Sequence, residues 1–272
     1  MKNLFAADLD RTLIYSKRAI AEFNEDKHAF LTPVEYKDGQ VMAYMTNKSI
    51  EALHHLAKEA LFVPVTTRTP EQFNRINLRV PLKYAITTNG ANIFYKGDIL
   101  KEWQETVINR MKKESASIQE IKLAVQPLTI NGRQKDADDL FFYYLLDERL
   151  AEHQLEEASS MANNIGWRTS LQGRKLYFIP YSVSKGEAVN FIKERENIDI
   201  SFGAGDSLLD HDFLKACDFS FVPSHGELAN HPHLNKAYQL TNEKGFKATE
   251  EMLGRIEQLI AFQSQQSVHE AK

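Results

Sequence analysis

Residues 4–12 read Leu4-Phe5-Ala6-Ala7-Asp8-Leu9-Asp10-Arg11-Thr12. The short apolar run ends in acids. That is the pattern of a strand buried on both faces whose C-terminal end delivers Asp8 and Asp10 to a rim. Working outward, residues 34–45 alternate around Asp38-Gly39, a pair that tolerates positive φ and predicts a small β-hairpin. Ser49 is placed to cap a helix reaching about Ala60, with Ile50, Leu53 and Ala57 on one stripe. A second apolar run, Leu61 to Val65, reads as a strand that Pro64 weakens. Val80 to Asn89 predicts a further strand before Gly90, a helix follows Lys185-Gly186, and Ile198 to Gly205 closes the series as a strand and turn.

Strands alternating with helices at this spacing predict an α/β fold with a doubly wound parallel sheet, whose ligands sit beyond the carboxyl ends of the strands. Asp8, Thr66 and Asp206 all fall at such ends. Between about Ile93 and Pro180 the strict alternation stops. A helix-like stretch over 104–123 and an aromatic strand from Leu140 to Leu146 come first. A helix over 147–163 and two strands around Gln172-Gly173 then follow. The expectation is a catalytic core at 1–92 and 181–272 interrupted by an α+β cap at 93–180. The last helix, near Ala248 to Phe262, carries Met252, Leu253, Ile256, Leu259 and Ile260 on one face, and the tail after it is expected to fray.

Composition narrows the function classes. The 272 residues, 43% hydrophobic and 26% charged, exclude collagen-like and largely disordered chains. A net charge of −4 offers no general attraction to nucleic acid or an anionic membrane, so neither partner is expected. One cysteine, Cys217, rules out an internal disulfide and a cysteine-rich zinc site. The N-terminus resembles no targeting peptide, and no apolar run approaches the ~20 residues of a membrane span, so a cytoplasmic protein is expected.

Four pieces carry chemistry. In Asp8-Leu9-Asp10-Arg11-Thr12, one carboxylate is placed to attack an electrophile while its neighbour handles a proton; a solvated turn has the same residues. Thr66-Thr67-Arg68-Thr69 offers hydroxyls and N–H groups to an anion, or merely caps a helix. Lys185 opens another helix, where its ammonium neutralises a phosphoryl group and a carboxylate together; a solvated surface lysine is the plain alternative. Asp206 and Asp210 add hard oxygen ligands suited to Mg²⁺, or an Asp that caps the following helix.

In this order, each at a strand–helix junction, the four pieces resemble the motifs of the haloacid dehalogenase superfamily of phosphohydrolases. The large insertion, together with Thr87-Thr88-Asn89-Gly90-Ala91, is similar to the subgroup of sucrose-phosphate, trehalose-phosphate, mannosylglycerate-phosphate and Cof-type phosphatases. That subgroup often has Thr-Gly-Arg where this chain has Thr66-Thr67-Arg68. The resemblance implies Asp8 as nucleophile, Asp10 as general acid and base, and Thr66 and Lys185 as charge-stabilising catalytic groups. It also implies Mg²⁺ held by Asp8, the Asp10 carbonyl and Asp206, with Asp210 as a further or outer ligand.

Thr12, Thr67, Arg68 and Asn89 join the substrate-binding candidates, as do Arg174 and Lys175 at the hairpin after Gln172-Gly173; Arg133 and Arg168 are further basic residues of the insertion. The partner implied is a small phosphorylated metabolite, a sugar phosphate foremost. Two rivals use the same residues: a phosphomutase that returns the phosphoryl group to a sugar, and a phosphate-sensing protein without turnover.

Overall fold

The structure is a computed structural model that describes residues 1–23 and 30–270. The chain begins β1 (Asn3–Ala7), α1 (Lys17–Glu22), β2 (Leu31–Lys37), β3 (Gln40–Thr46), α2 (Asn47–Glu59), β4 (Leu61–Pro64), α3 (Pro70–Phe73) and β5 (Tyr84–Thr87). It continues with β6 (Asn92–Tyr95), β7 (Asp98–Ile99), α4 (Lys101–Glu114), α5 (Ile118–Val125), β8 (Gly132–Ala137), β9 (Phe141–Leu146), α6 (Glu152–Asn163), β10 (Trp167–Gln172) and β11 (Lys175–Pro180). It ends with α7 (Lys185–Glu196), β12 (Ile200–Ala204), α8 (His211–Leu214), β13 (Phe219–Val222), β14 (Gln239–Leu240) and α9 (Gly245–Glu270). Two compact units result: residues 1–90, 94–98 and 185–272 form one, and 91–93 with 99–184 form the other.

The first unit is built on a five-stranded parallel sheet in the order β14-β13-β12-β1-β4. The chain leaves β1 toward β4 on one side and returns at β12 on the other, so the order reverses between β1 and β12. A parallel sheet has its ligand crevice at that switch point, beyond the carboxyl ends of the strands. Period-two alternation sorts the faces. Phe5, Ala7, Phe202, Ala204 and Phe221 pack with Leu53 and Leu56 of α2 and with Met252, Leu253 and Ile256 of α9. Gly203 lies on the opposite face, where an added Cβ would come within 3.0 Å of Cys217 and Leu214.

Several local expectations are corrected. α2 is capped not by Ser49 but by Thr46, whose Oγ1 accepts the Ser49 N–H at 3.0 Å, so Ser49 is the third helical residue. The helix predicted over 104–123 is two helices, because Ser117 and Glu120 form a capping box that starts a new one after the break at Ser115. The helix predicted over 147–163 begins only at Glu152. The strand predicted over 80–89 shrinks to Tyr84–Thr87, since Pro81 and the turn at 88–90 bound it. The last helix does not stop near Phe262 but continues to Glu270, the Gln- and Ser-rich segment containing no Gly or Pro to end it. Pro64 closes edge strand β4, where its missing N–H breaks no ladder.

The hairpin at Asp38-Gly39 joins β2 to β3, both turn residues having positive φ of 50° and 75°. In the second unit, β8–β11 form an antiparallel sheet in the order β10-β11-β9-β8. Its aromatic core is exemplified by Phe142 stacked on Phe178 at 4.9 Å beside the fully buried Trp167. No helix among the described residues is long and apolar enough to cross a membrane.

Candidate active site

β1 and β12 are hydrogen-bonded neighbours, so their ends carry Asp8 and Asp206 to the same crevice; the Asp8 N–H donates to the Ala204 carbonyl at 2.8 Å. Lys185, the first residue of α7, enters from a third element. Its side chain is 1% exposed, and its Nζ donates to Asp8 Oδ1 at 2.8 Å and to Asp210 Oδ1 at 2.6 Å. Two glycines permit this convergence. A Cβ on Gly186 would lie 2.5 Å from the Asp212 carbonyl oxygen, and one on Gly205 would lie 2.6 Å from Asp210 Cβ.

Burial sets the electrostatics. Asp8 is pushed up to about 7, first by burial and then by the charge of Asp210, with Lys185 pulling the other way. Asp206 is raised well above the carboxylate range by burial and by Asp210 and Asp8. Burial works against the Lys185 ammonium, but Asp210 and Asp8 outweigh it and raise its pKa. Three acids therefore face one buried cation.

The oxygens of Asp8, Asp206 and Asp210 lie within 4.8 Å of one another, the one grouping of metal-ligand type among the described residues. The residues fit a hard divalent cation, because three carboxyl groups converge on one ammonium and, among the described residues, the one ion-pair partner of Asp206 is Arg11 Nε, at 3.8 Å. Asp210 fits less well as a direct ligand. Its Oδ1 is taken by Lys185, and its Oδ2 accepts from the Asp206 N–H, the Ser207 N–H and the Ser207 hydroxyl. Asp210 is thus also the cap of its own turn, orienting Lys185 and the Asp206 backbone.

The other sequence candidates divide. Asp10 is not gathered into the buried cluster; its side chain is 54% exposed and bound by both oxygens to Arg68, at 2.7 and 2.8 Å. Arg68 in turn grips Glu35 through two bonds of 2.7 and 3.0 Å, so the guanidinium expected to bind substrate is occupied by two carboxylates. Thr66 is buried and its Oγ1 accepts the Arg68 N–H at 3.2 Å, while Thr67 is half-buried beside it. Thr12 is fully buried.

Asn89, at φ 55°, donates its N–H to the Thr66 carbonyl at 3.0 Å, and the Thr88 N–H donates to the Arg68 carbonyl at 2.7 Å, pinning the two loops together. In the second unit Arg174 turns back, its Nε donating to the Leu146 carbonyl at 2.7 Å, and Lys175 lies over the Tyr143 ring. Sequence reasoning missed Glu35 and Arg75, whose guanidinium reaches Glu35 at 3.3 Å, because a single acid in a hairpin carries no signal.

An aspartate following the first strand of a parallel sheet, a lysine from a later helix and acids after the next strand define this protein as a phosphatase of the haloacid dehalogenase type. The chain belongs to the sucrose-6F-phosphate phosphohydrolase family, whose model matches residues 1–262.

Solved structures share the fold. The sucrose-phosphatase of Synechocystis sp. PCC6803, in complex with sucrose and phosphate, is 14% identical with a TM-score of 0.67, over 94% of this chain and 99% of that one. A haloalkanoate-superfamily phosphatase of Bacteroides thetaiotaomicron is 12% identical with a TM-score of 0.56, over 96% of each chain. A haloacid dehalogenase-like hydrolase of Bacillus subtilis is 17% identical with a TM-score of 0.51, over 93% and 94%. No curated protein is significantly similar in sequence.

Proposed function

We propose that this protein hydrolyses the phosphate monoester of a small sugar phosphate through an aspartyl-phosphate on Asp8. The observation that carries the reading is the buried Asp8–Lys185 pair at the switch point of the sheet, with Asp206 beside it. Asp8 attacks phosphorus as a carboxylate, and the bond from phosphorus to the sugar oxygen breaks as the new one forms. Lys185 holds Asp8 in place and offsets the charge of the phosphoryl oxygens, and the Thr66 hydroxyl adds a donor at the neighbouring strand end. Asp10 gives its proton to the departing sugar oxygen and then takes one from the water that attacks the aspartyl-phosphate.

Arg68 must release Asp10 for that exchange, because the guanidinium takes up both carboxyl oxygens. Mg²⁺, when bound by Asp8, Asp206 and the Asp10 carbonyl, lessens the repulsion between the attacking carboxylate and the phosphate. Residues 93–180 are the part of the chain to which we assign selection of the sugar, with Arg174 and Lys175 as its candidate recognition residues.

The test is Mg²⁺-dependent phosphate release from a panel of sugar phosphates. Asp8→Asn should lower turnover by several orders of magnitude, since it removes the nucleophile. A variant keeping more than about a tenth of wild-type turnover refutes the covalent route. Asp10→Asn should be similarly crippled, and phosphate trapped on Asp8 in that variant supports the acid–base role. Free phosphate rather than an isomerised sugar phosphate separates hydrolysis from mutase chemistry.

A further inference from the structure

The turn that carries Asp8 and Asp10 contains a backbone its own residue disfavours. Arg11 has a φ of 65°, in the left-handed region where a Cβ is strained. This φ fixes the direction of the Asp10–Arg11 peptide, and so of the Asp10 carbonyl, relative to the chain that folds back at 12–14. The turn is closed by the N–H groups of Thr12, Leu13 and Ile14, all donating to the Leu9 carbonyl at 2.9–3.2 Å.

What holds Arg11 there comes from outside the turn. Its carbonyl accepts the hydroxyl of Tyr15 at 3.0 Å and Nε2 of His225 at 2.9 Å. His225 lies on the loop after β13, and its other ring nitrogen, Nδ1, accepts the Gly245 N–H at 3.1 Å. With Nδ1 an acceptor, the single proton of the neutral ring resides on Nε2, where it is donated to Arg11; two backbone partners dictate the tautomer. The ring is fixed sideways by Phe23 at 4.4 Å and Tyr15 at 6.1 Å. The Arg11 side chain is itself committed, with two 3.0 Å bonds to Glu22.

We propose that His225 is a positioning residue of this site: its Nε2–H bond to the Arg11 carbonyl holds the left-handed turn that aims Asp10 relative to Asp8. The inference rests on the reading of Asp8 as nucleophile and Asp10 as acid and base. Other side chains tie the same turn to distant elements, such as Thr249 of α9, whose hydroxyl donates to the Thr12 carbonyl at 2.6 Å. His225 differs in joining the turn at once to the loop after β13 and to the first residue of α9, through opposite edges of one rigid ring.

The test compares two substitutions in the full-length protein. In His225→Gln the amide nitrogen falls near the position of Nε2 and restores the donor to Arg11. In His225→Asn the shorter amide reaches only the place of Nδ1, keeping an acceptor for Gly245 and losing the bond to Arg11. Hydrogen exchange at the amides of residues 12–14 should quicken at least about tenfold in His225→Asn and return toward wild type in His225→Gln.

In phosphate-release assays, kcat of His225→Asn should fall at least about tenfold with KM within about twofold, and His225→Gln should recover most of it. Unchanged exchange in His225→Asn overturns the inference, and so does an equal loss of kcat in both variants. Asp8→Asn, assayed alongside, decides the underlying reading separately: turnover surviving that change refutes the nucleophile, whereas the exchange measurement judges His225 without reference to activity.

Discussion

Replacing Lys185 by Met removes the one buried cation from a cluster of three acids while keeping much of the side chain's volume. Two bonds of 2.8 and 2.6 Å vanish, to Asp8 Oδ1 and Asp210 Oδ1. Breaking a buried ion pair from one side costs ~3–5 kcal/mol, because the partner stays buried and uncompensated. The lower end applies here for two reasons. Asp210 keeps three donors on its other oxygen, and Asp8, already pushed up to about 7, takes up a proton in place of the lost cation.

A loss of ~3 kcal/mol corresponds to a fall in Tm of roughly 6–12 °C for a protein of this size class. The assay is thermal unfolding followed by circular dichroism, in EDTA and again with excess Mg²⁺. The cation should stabilise Lys185→Met more than wild type, since it supplies the neutralisation the variant lacks; occupancy at 100 times Kd is worth ~2.7 kcal/mol. A Tm within about 2 °C of wild type in EDTA would refute the argument, for the three acids would then not depend on the ammonium.

Arg68→Ala should destabilise by ~2–3 kcal/mol, because Glu35, 4% exposed in its side chain, is left with Arg75 alone. A double-mutant cycle with Glu35→Gln should return a coupling above ~1 kcal/mol, and strict additivity in chemical denaturation would show the pair to be independent. Burial and the charges of Arg11 and Lys244 hold His225 down to about 4, against the Arg11 carbonyl bond and Glu22, which favour its protonation. A histidine with a depressed folded pKa contributes stability above its unfolded value of about 6.5 and loses it as the pH falls toward 4.

The gap, at ~1.4 kcal/mol per pH unit, is worth ~3 kcal/mol, reduced to ~2 by the ring's partial contact with solvent. Wild type should therefore lose that much relative to His225→Gln between pH 6.5 and 4, and parallel curves would contradict it. Joint replacement of Arg174 and Lys175 by Ala should raise KM for the best sugar phosphate and barely change turnover of a small aryl phosphate; an equal response from both substrates removes the hairpin from recognition.

Local pattern made three strands of the five-stranded sheet legible, β1, β4 and β12, but not β13 or β14, and it placed the strand at 80–89 in that sheet although β5 pairs with β6 instead. A run such as Leu4–Ala7, too apolar for a surface strand and too short for a buried helix, has one stable place, the middle of a parallel sheet, and Asp8 follows from it. The same holds for Ile200–Ala204 and Asp206. Their place in the chain carried the site because Asp8 directly follows β1 and Asp206 comes one glycine after β12.

Other partners are encoded in no local pattern and follow from the folded chain. Glu35 becomes a ligand of Arg68 only because the β2–β3 hairpin folds back, and Asp10 is drawn out of the buried cluster by that same guanidinium. His225 reaches Arg11 across 214 positions. Asp210, open in the sequence to either capping or metal binding, caps its turn and orients Lys185 at once. The physical reason is range: burial, turn and cap preferences act over a few neighbouring residues and leave a local trace. A hydrogen bond between loops depends on where two distant segments meet, and its donor and acceptor look like any other polar atoms until they do.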